Sequence, residues 1–208
     1  MLMLDGGRAT PLTLALSGAD SSLGLADGLY PRVLGPAWHD LDETVRRLHA
    51  RSTAVRATGT FRIRHGHSLL ARCAVWALGM PSAGDAVPTN LVISPHGAAE
   101  TWARTFDGRP LVTTQRAVDT GVLVECFRAF ELRFQLRVHN GALLYEQIGA
   151  TLRFWKRSLP LPSWLAPRVH AREDRNALGD RVDISVRITL PFTGLLILYE
   201  GTVTRHDS

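Results

Sequence analysis

The sequence predicts a mainly β protein, an antiparallel β-barrel or strongly curved, cavity-forming sheet with one or two N-terminal helices. Beyond residue 87 nearly every segment alternates with the period of two that is typical of strands. Turn signals such as Asp107-Gly108, Asn140-Gly141 and Gly179-Asp180 separate these segments. The connections are too short for parallel crossovers, so successive strands must pair antiparallel and curl to hide their edges.

Length and composition predict one globular domain over residues 29–208, preceded by a flexible tail over residues 1–28. The chain has 208 residues and 45% hydrophobic residues, which is enough for a core without disulfide or metal support. Its apolar runs are shorter than the roughly 20 residues of a membrane helix, and no secretory signal is seen, so we expect a cytoplasmic protein without a membrane span. The net charge of +5 is spread along the chain with no basic run, which argues against nucleic-acid binding.

The N-terminal part carries the helix signals. Gly35-Pro36 is typical of a helix start, and apolar residues follow at spacings of three and four, which predicts a docking helix: Trp38, Leu41, Val45 and Leu48. A second, short apolar helix is predicted from Leu69 to Met80, capped by Ser68 and ended by Pro81.

Strands account for most of the remaining chain. They are predicted at residues 54–64, 88–94, 99–106, 111–118, 121–127, 130–139, 142–155, 168–174, 181–190 and 195–205. The segment 157–167 contains three prolines and Trp164, so it cannot be a central strand. We expect it to pack over a face of the barrel or to close one end.

The strand at 99–106 has an unusual face. Its alternation places Glu100, Trp102, Arg104 and Phe106 on one side. A solvent face would expose two large rings, and a solid core would bury two charges at a cost of several kcal/mol unless they were paired. An enclosed cavity explains both features, because a ligand site is mostly apolar with a few polar groups that orient the ligand.

Candidate site residues follow from this interpretation. Further carboxylates fall on apolar faces in the strands at 122–127 and 143–154, which adds Glu125 and Glu146. The residues that we expect to act in catalysis are Glu100, Arg104, Arg109, Glu125 and Glu146. Those that we expect to bind ligand are Trp102, Phe106, Gln115, Phe127 and Tyr199. An arginine–carboxylate network that closes the interior and binds nothing would produce the same pattern and stays open as the alternative.

Familiar catalytic motifs are missing from the sequence. It has no phosphate-binding glycine loop, dinucleotide fingerprint, nucleophile elbow or H-E-x-x-H zinc motif. His65 and His67 flank a glycine, but two imidazoles without a third ligand favour a surface turn over a metal site. We therefore expect neither a cofactor nor a metal.

Five stretches resemble a known family, the bacterial domain of unknown function 4166. They are LLARCAVWALGMPSAG (69–84), ETWARTFDGRPL (100–111), GVLVECF (121–127), LPLPSWLAPRVHARE (159–173) and ISVRITLPFTGLLILYEG (184–201). The resemblance covers nearly everything after residue 34 and departs from the family pattern around residues 62–67. Family members occur alone or joined to nicotinamide-dependent reductase-like chains, which implies a small-molecule role beside redox enzymes. The resemblance supplies no catalytic residue, and the similarity of the predicted barrel to lipocalin-like folds is an analogy only.

Three functions are compatible with the sequence. The first is an enzyme that binds an apolar, polyketide- or terpenoid-like metabolite and catalyses a cofactor-independent cyclisation, isomerisation or dehydration, in which one glutamate moves a proton and Arg104 or Arg109 stabilises the negative charge. The second is a non-catalytic lipid or metabolite carrier with the same cavity. The third is an accessory module that associates with a reductase through the helix carrying Trp38 and Leu41.

Overall fold

The computed structural model describes residues 28–49, 54–155 and 157–206, so the predicted tail lies almost wholly outside the described residues. The helices are α1 (Leu29–Leu34), a 3₁₀ helix (Gly35–Asp40), α2 (Glu43–His49) and α3 (Leu69–Ala77). The strands are β1 (Val55–His65), β2 (Gly84–His96), β3 (Ala99–Phe106), β4 (Arg109–Asp119), β5 (Val122–Phe127), β6 (Phe130–His139), β7 (Ala142–Phe154), β8 (Arg157–Pro160), β9 (Arg168–Arg175), β10 (Val182–Leu190) and β11 (Gly194–His206).

Ten of these strands close into an antiparallel barrel, which confirms the predicted fold class. Strands β1 to β7 form a meander in which each strand pairs with the next. The chain then continues through β9, β10 and β11, with β9 against β7 and β11 against β1, so that the sheet has no free edge there. Strand β8 stands outside the closed barrel and pairs only with the end of β7.

Two of the predicted turns have the backbone that a tight hairpin needs. Asp107 and Gly108 have φ of 45° and 78°, and Asn140 and Gly141 have φ of 51° and 81°. Positive φ at both central residues gives the turn a twist that matches the flanking strands, and aspartate, asparagine and glycine tolerate it best. The register of β3 with β4 and of β6 with β7 follows from these turns.

The N-terminal helices close the lower end of the barrel, where the β2–β3, β4–β5, β6–β7 and β9–β10 turns lie. One hydrogen bond reaches each turn: Arg32 Nη2 to Ala98 O (3.1 Å), Gly121 N to Val33 O (2.6 Å), Asp42 N to Gly141 O (2.9 Å) and Thr44 Oγ1 to Gly179 O (3.1 Å). Trp38 and Leu41 are each only 4% exposed. The predicted docking helix therefore packs against its own barrel, and its residues Trp38 and Leu41 are buried there.

The predicted helix after Gly35 is divided into two pieces. The 3₁₀ helix ends at Asp40, and α2 begins only at Glu43. Asp42 separates them, because its Oδ1 accepts a hydrogen bond from Thr44 N at 2.8 Å while its own N–H is held by Gly141. An aspartate that caps the next turn in this way favours a new helix start over continuation.

Helix α3 and the proline-containing segment lie at the upper end. Ser68 Oγ accepts a hydrogen bond from Ala71 N at 3.1 Å, so the predicted cap is confirmed, and the helix ends before Gly79, which has a φ of 61°. In the segment 157–167 the side chains of Leu159 and Trp164 are 62% and 63% exposed, so these two do not pack onto the barrel. None of the helices within the described ranges is long and apolar enough to cross a membrane.

Candidate functional site

A cavity of about 60 Å³ lies inside the barrel. Its wall is mostly apolar and aromatic with a polar minority, the composition that is typical of small-molecule sites. It is formed by Phe61, Thr89, Leu91, Trp102, Arg104, Phe106, Gln115, Glu125, Phe134, Tyr145, Val169, Ala171, Glu173, Ile184, Val186, Tyr199 and Val203. Larger grooves of about 580 and 520 Å³ lie on the outer face, are open to solvent and are lined mainly by polar and charged side chains.

Strand β3 turns its charged and aromatic face inward. Trp102 and Phe106 are each 1% exposed, and both lie in the cavity wall with Arg104. Glu100 is also buried, but it does not line the cavity, and its Oε2 accepts a hydrogen bond from Trp102 Nε1 at 3.2 Å. The face that is unusual in the sequence therefore borders enclosed space.

Arg104 is the cation of the cavity wall. Its Nη1 donates to Thr113 Oγ1 at 3.0 Å, and its guanidinium carbon lies 4.9 Å from the centre of the Trp102 ring. The distance from Nη2 to Glu125 Oε1 is 3.7 Å, which is an ion pair but is too long for a hydrogen bond. Burial alone lowers the pKa of Arg104, but Tyr199 and Glu125 outweigh it and raise the pKa. Since a guanidinium has five N–H donors, this set of partners leaves donors for a ligand.

A hydrogen-bonded chain connects the cavity wall to the helices that close the lower end. Tyr30 OH donates to Gln115 Oε1 at 2.7 Å and lies 2.9 Å from Tyr145 OH. Tyr145 OH donates to Glu173 Oε1 at 2.9 Å, and the other carboxylate oxygen lies 2.5 Å from His49 Nε2. All five residues are buried. Gln115, Tyr145 and Glu173 face the cavity, so the chain links it to α1 and α2.

The environment of Glu173 favours its charged form. Burial alone raises the pKa of a carboxyl group, but here the charge of His49 and the hydrogen bonds from His49 and Tyr145 outweigh it, so the pKa of Glu173 lies below its ordinary value. His49 Nδ1 has no hydrogen-bond partner among the described residues. The His49 ring packs against Tyr30 instead, with 3.9 Å between the ring centres.

Glu100 has the opposite shift. Burial raises the pKa of Glu100 above its ordinary value, against the lowering effects of His49 and of the hydrogen bond from Trp102. The surroundings therefore raise the pKa of one of the two buried carboxyl groups near His49 and lower the pKa of the other. As the pH falls, Glu100 therefore accepts a proton before Glu173 does.

All three tyrosines of the chain have raised pKa values. Burial raises the pKa of Tyr30 and Tyr145 well above the ordinary value of 10.0 and that of Tyr199 to about 12. Above pH 10 the unfolded chain therefore releases protons that the folded chain retains, and stability must fall as the pH rises. We expect an ultraviolet pH titration to give no phenolate absorbance near pH 10, and ionisation to coincide with unfolding followed by circular dichroism. A tyrosine that ionises reversibly near pH 10 in the folded protein would contradict this expectation.

The structure places three more of the predicted residues in the cavity wall: Gln115, Glu125 and Tyr199. Tyr199 stacks edge to face against Phe61 and Phe106, with ring centres 6.0 and 5.7 Å apart. Together with the β3 residues, the cavity wall therefore holds Trp102, Arg104, Phe106, Gln115, Glu125 and Tyr199.

Besides Glu100, three predicted residues lie elsewhere, so the expected place of all four in the cavity wall is wrong. Glu146 is on the outer face, where its Oε2 lies 2.9 Å from Arg137 Nε, because Tyr145 takes the inward position of β7. Arg109 is exposed at the upper end of β4 and does not line the cavity. Phe127 is half-buried against the core and does not line the cavity.

Four residues of the hydrogen-bonded chain were not predicted from the sequence. Glu173 shares the inward alternation of Val169 and Ala171, so its strand pattern could have revealed it. For Tyr145 the pattern was not sufficient, because both faces of β7 carry apolar residues. Tyr30 and His49 belong to helices that meet the barrel only in the tertiary structure, and no sequence signal connects them to the strands.

The two histidines near residue 66 belong to no group of possible metal ligands within the part of the chain that the structure describes. His65 Nε2 lies 2.8 Å from Pro81 O, and His67 is exposed. Within residues 28–49, 54–155 and 157–206, no group of three or more His, Cys, Asp and Glu side chains is arranged to hold a metal ion.

Three comparisons relate the chain to known proteins. A family model described as a domain of unknown function (DUF4166) matches residues 41–203. A search of curated proteins found no match. Among solved structures, the chain is similar to the crystal structure of Rv2717c from M. tuberculosis, with 14% sequence identity, a TM-score of 0.43 and coverage of 81% of this chain and 100% of that one.

Proposed function

This chain belongs to the family described as a domain of unknown function (DUF4166), and we propose that its barrel binds a small organic acid or ketone and moves a proton on it without a cofactor. The observation that carries the proposal is the position of Arg104. Its guanidinium borders the open volume while its nearest carboxylate, Glu125, stays at 3.7 Å. The two groups attract each other but are not held at the roughly 2.7–2.9 Å of a charge-assisted hydrogen bond, which supports the proposal that the guanidinium is open to a ligand.

The size of the cavity limits the ligand. About 60 Å³ holds roughly four to six water molecules, given the roughly 10–15 Å³ that each requires. This volume suits a molecule of a few carbon atoms with one polar end and is too small for the polyketide- or terpenoid-like skeleton expected from the sequence. We therefore restrict the proposal to small, enolisable acids and ketones.

The proposed chemistry is proton transfer next to a carbonyl group. Arg104 binds the carbonyl or carboxylate oxygen and stabilises the negative charge that develops on it. Glu125 removes a proton from the adjacent carbon, its carboxyl proton exchanges with solvent, and the same carboxyl group returns a proton to that carbon or to a neighbouring one, which gives exchange or isomerisation with no net change in charge. Tyr199, kept neutral by its raised pKa, supplies a hydroxyl donor in the same wall.

The hydrogen-bonded chain supports this arrangement because it holds several side chains of the cavity wall in place. Glu173 is held by His49 and Tyr145, so its carboxylate is consumed by protein partners and is a poor candidate for the moving base. Glu100 is bonded to Trp102 below the cavity. Among the carboxylates predicted from the sequence, Glu125 is the one that lines the cavity beside the arginine.

The first test asks whether Arg104 binds the ligand. Native mass spectrometry of freshly purified protein should detect a retained small molecule, and proton NMR should detect binding of pyruvate as a probe. We expect Arg104→Met to weaken binding by about tenfold or more, as loss of a charged hydrogen-bonded contact does. Arg187→Met, on the exposed outer face of β10, is the matched control and should bind as the wild type does. Retained ligand and probe binding that are unaffected by Arg104→Met would refute the proposal.

The second test separates an enzyme from a carrier, which would use the same cavity. Deuterium incorporation at the pyruvate methyl group in heavy water reports proton removal directly. We expect the wild type to accelerate this exchange and Glu125→Gln to abolish the acceleration while binding is retained. Binding without exchange in the wild type would favour the non-catalytic carrier.

A further inference from the structure

The upper end of the barrel exposes an unusual number of large apolar side chains. Nine of the thirteen exposed large apolar residues among the described ones lie there: Leu69, Leu70, Trp76, Phe154, Trp155, Leu159, Trp164, Leu165 and Phe192. Trp76, Trp155 and Phe192 are 85%, 93% and 90% exposed. Isolated exposed apolar residues are ordinary, but such a concentration at one end of a molecule marks an interaction surface.

These residues form a continuous arc. Trp76 belongs to α3, which follows β1 and packs on β11. Phe192 lies in the turn between β10 and β11, Trp164 lies just before β9, and Trp155 follows β7. In the barrel these strands are neighbours in the order β1, β11, β10, β9 and β7. The three tryptophans and Phe192 therefore lie along one half of the same rim.

The charge of the upper rim is strongly one-sided. We define this rim as residues 64–83, 107–109, 128–129, 153–155, 157–168 and 190–194. It contains seven arginines and one carboxylate, that of Asp107: the arginines are Arg64, Arg72, Arg109, Arg128, Arg153, Arg157 and Arg168. All eight side chains are exposed, and one of the arginines, Arg153, forms an ion pair at 3.7 Å with Glu131 just below the rim.

The lower end has no such asymmetry. Its described residues are 28–49, 97–98, 120–121, 140–141 and 176–181, and they carry four arginines and four carboxylates. Leu178 is the single exposed large apolar residue among them. The apolar residues of α1 and α2 are instead buried against the barrel. The two features of the upper rim, exposed rings and unbalanced positive charge, therefore occur together at one end only.

We propose that the upper rim docks on the surface of a membrane that contains anionic lipids. Tryptophan prefers the boundary between headgroups and acyl chains, since its ring is apolar and its N–H is polar. Arginines around it are attracted to anionic headgroups, and the two contributions add. An arginine-rich rim with one carboxylate matches the charge of such a surface, which is why we favour it over a neutral protein surface or a second copy of the chain, where the arginines of both copies would face each other.

Vesicle flotation tests this proposal with the full chain. We expect binding to vesicles of phosphatidylglycerol and phosphatidylcholine, little binding to phosphatidylcholine alone, and weaker binding at high salt. Tryptophan emission should shift to shorter wavelength on binding, because Trp76, Trp155 and Trp164 leave water. The variant Trp76→Ser/Trp155→Ser/Trp164→Ser should bind on the order of tenfold more weakly.

Two further variants complete the design. Arg72→Glu/Arg157→Glu should weaken binding to the anionic vesicles through charge alone, with the tryptophans intact. The matched control is Leu178→Ser/Arg181→Glu at the lower end, which should bind as the wild type does. All of these positions are exposed, so thermal unfolding should stay within a few degrees of the wild type.

Three results would overturn the proposal. The wild type could fail to bind anionic vesicles at low salt, or the tryptophan variant could bind as tightly as the wild type. The third is a dimer, seen by light scattering, that the tryptophan variant converts to a monomer, because the rim would then be an interface between copies of the chain.

Discussion

Replacing Glu173 with alanine is expected to lower the free energy of unfolding by about 3–5 kcal/mol, the range for removing one partner of a buried pair that carries charge. The side chain of Glu173 is 6% exposed and that of His49 is 0% exposed, so bulk solvent does not screen the pair. The substitution also removes the acceptor of the Tyr145 hydroxyl. Urea denaturation followed by circular dichroism measures the effect.

Glu146→Ala provides the matched control for this prediction. Glu146 is also a glutamate in a strand with a basic partner, but its ion pair with Arg137 lies on the surface, with side-chain exposures of 50% and 63%. Such pairs contribute about 0–1 kcal/mol, so the control should differ little from the wild type. An equal decrease in the free energy of unfolding for the two variants would contradict the role that we assign to the buried hydrogen-bonded chain.

The acid dependence of stability provides a second readout of the same group. Because the pKa of Glu173 is lowered in the folded state, its contribution is present above the ordinary carboxyl pKa and is lost as the pH falls through the lowered value. Glu173→Ala should therefore lose part of the acid sensitivity of the wild type. The double variant His49→Ala/Glu173→Ala should cost less than the sum of the single variants, since the first substitution already breaks the pair.

Gly201→Ala is the second substitution with a large expected effect, about 2–3 kcal/mol. A Cβ at Gly201 would lie 2.3 Å from Thr60 O and 2.5 Å from Phe61 Cγ, so the backbone of β1 or the Phe61 ring must move. Phe61 pairs directly with Gly201 across the strands that close the barrel, and its ring lines the cavity. We expect a lower urea midpoint and reduced ligand binding.

Gly149→Ala is the control for this substitution. The nearest atoms to a Cβ at Gly149 are 3.8 and 3.9 Å away on the Arg133 side chain, which is ordinary contact. It should therefore be tolerated within about 0.5 kcal/mol, as surface substitutions usually are. If the Gly201→Ala variant were as stable as Gly149→Ala, β1 and β11 would be able to move apart without lowering the free energy of unfolding.

The alternation of residue types along β3 was sufficient to predict its inward face. Side chains alternate along every strand, which places four residues of β3 on one side: Glu100, Trp102, Arg104 and Phe106. This alternation does not depend on which strands pair with β3. The turn pairs Asp107-Gly108 and Asn140-Gly141 likewise act locally, through backbone conformations that their own residues favour. These local rules are why the antiparallel barrel and part of its cavity wall could be predicted from the sequence.

The orientation of strand β7 could not be predicted from its own residues. Both of its faces carry apolar residues, Leu144 and Ile148 on one and Leu143 and Tyr145 on the other, so alternation alone does not identify the inner face. The pairing with β6 and β9 places Tyr145 inside, and Glu146 is therefore outside. The error in placing Glu146 thus has a physical cause: the partner strands decide the orientation.

The sequence by itself determined the fold class, the tight turns and the inward face of β3, because each depends on residues that are close together along the chain. Only the tertiary structure decided that Tyr30 and His49 enter the lower end of the barrel and meet Tyr145 and Glu173. The bond between His49 and Glu173 spans 124 positions of the chain. Such a contact exists only after the barrel has closed, since no local preference of either residue specifies its partner.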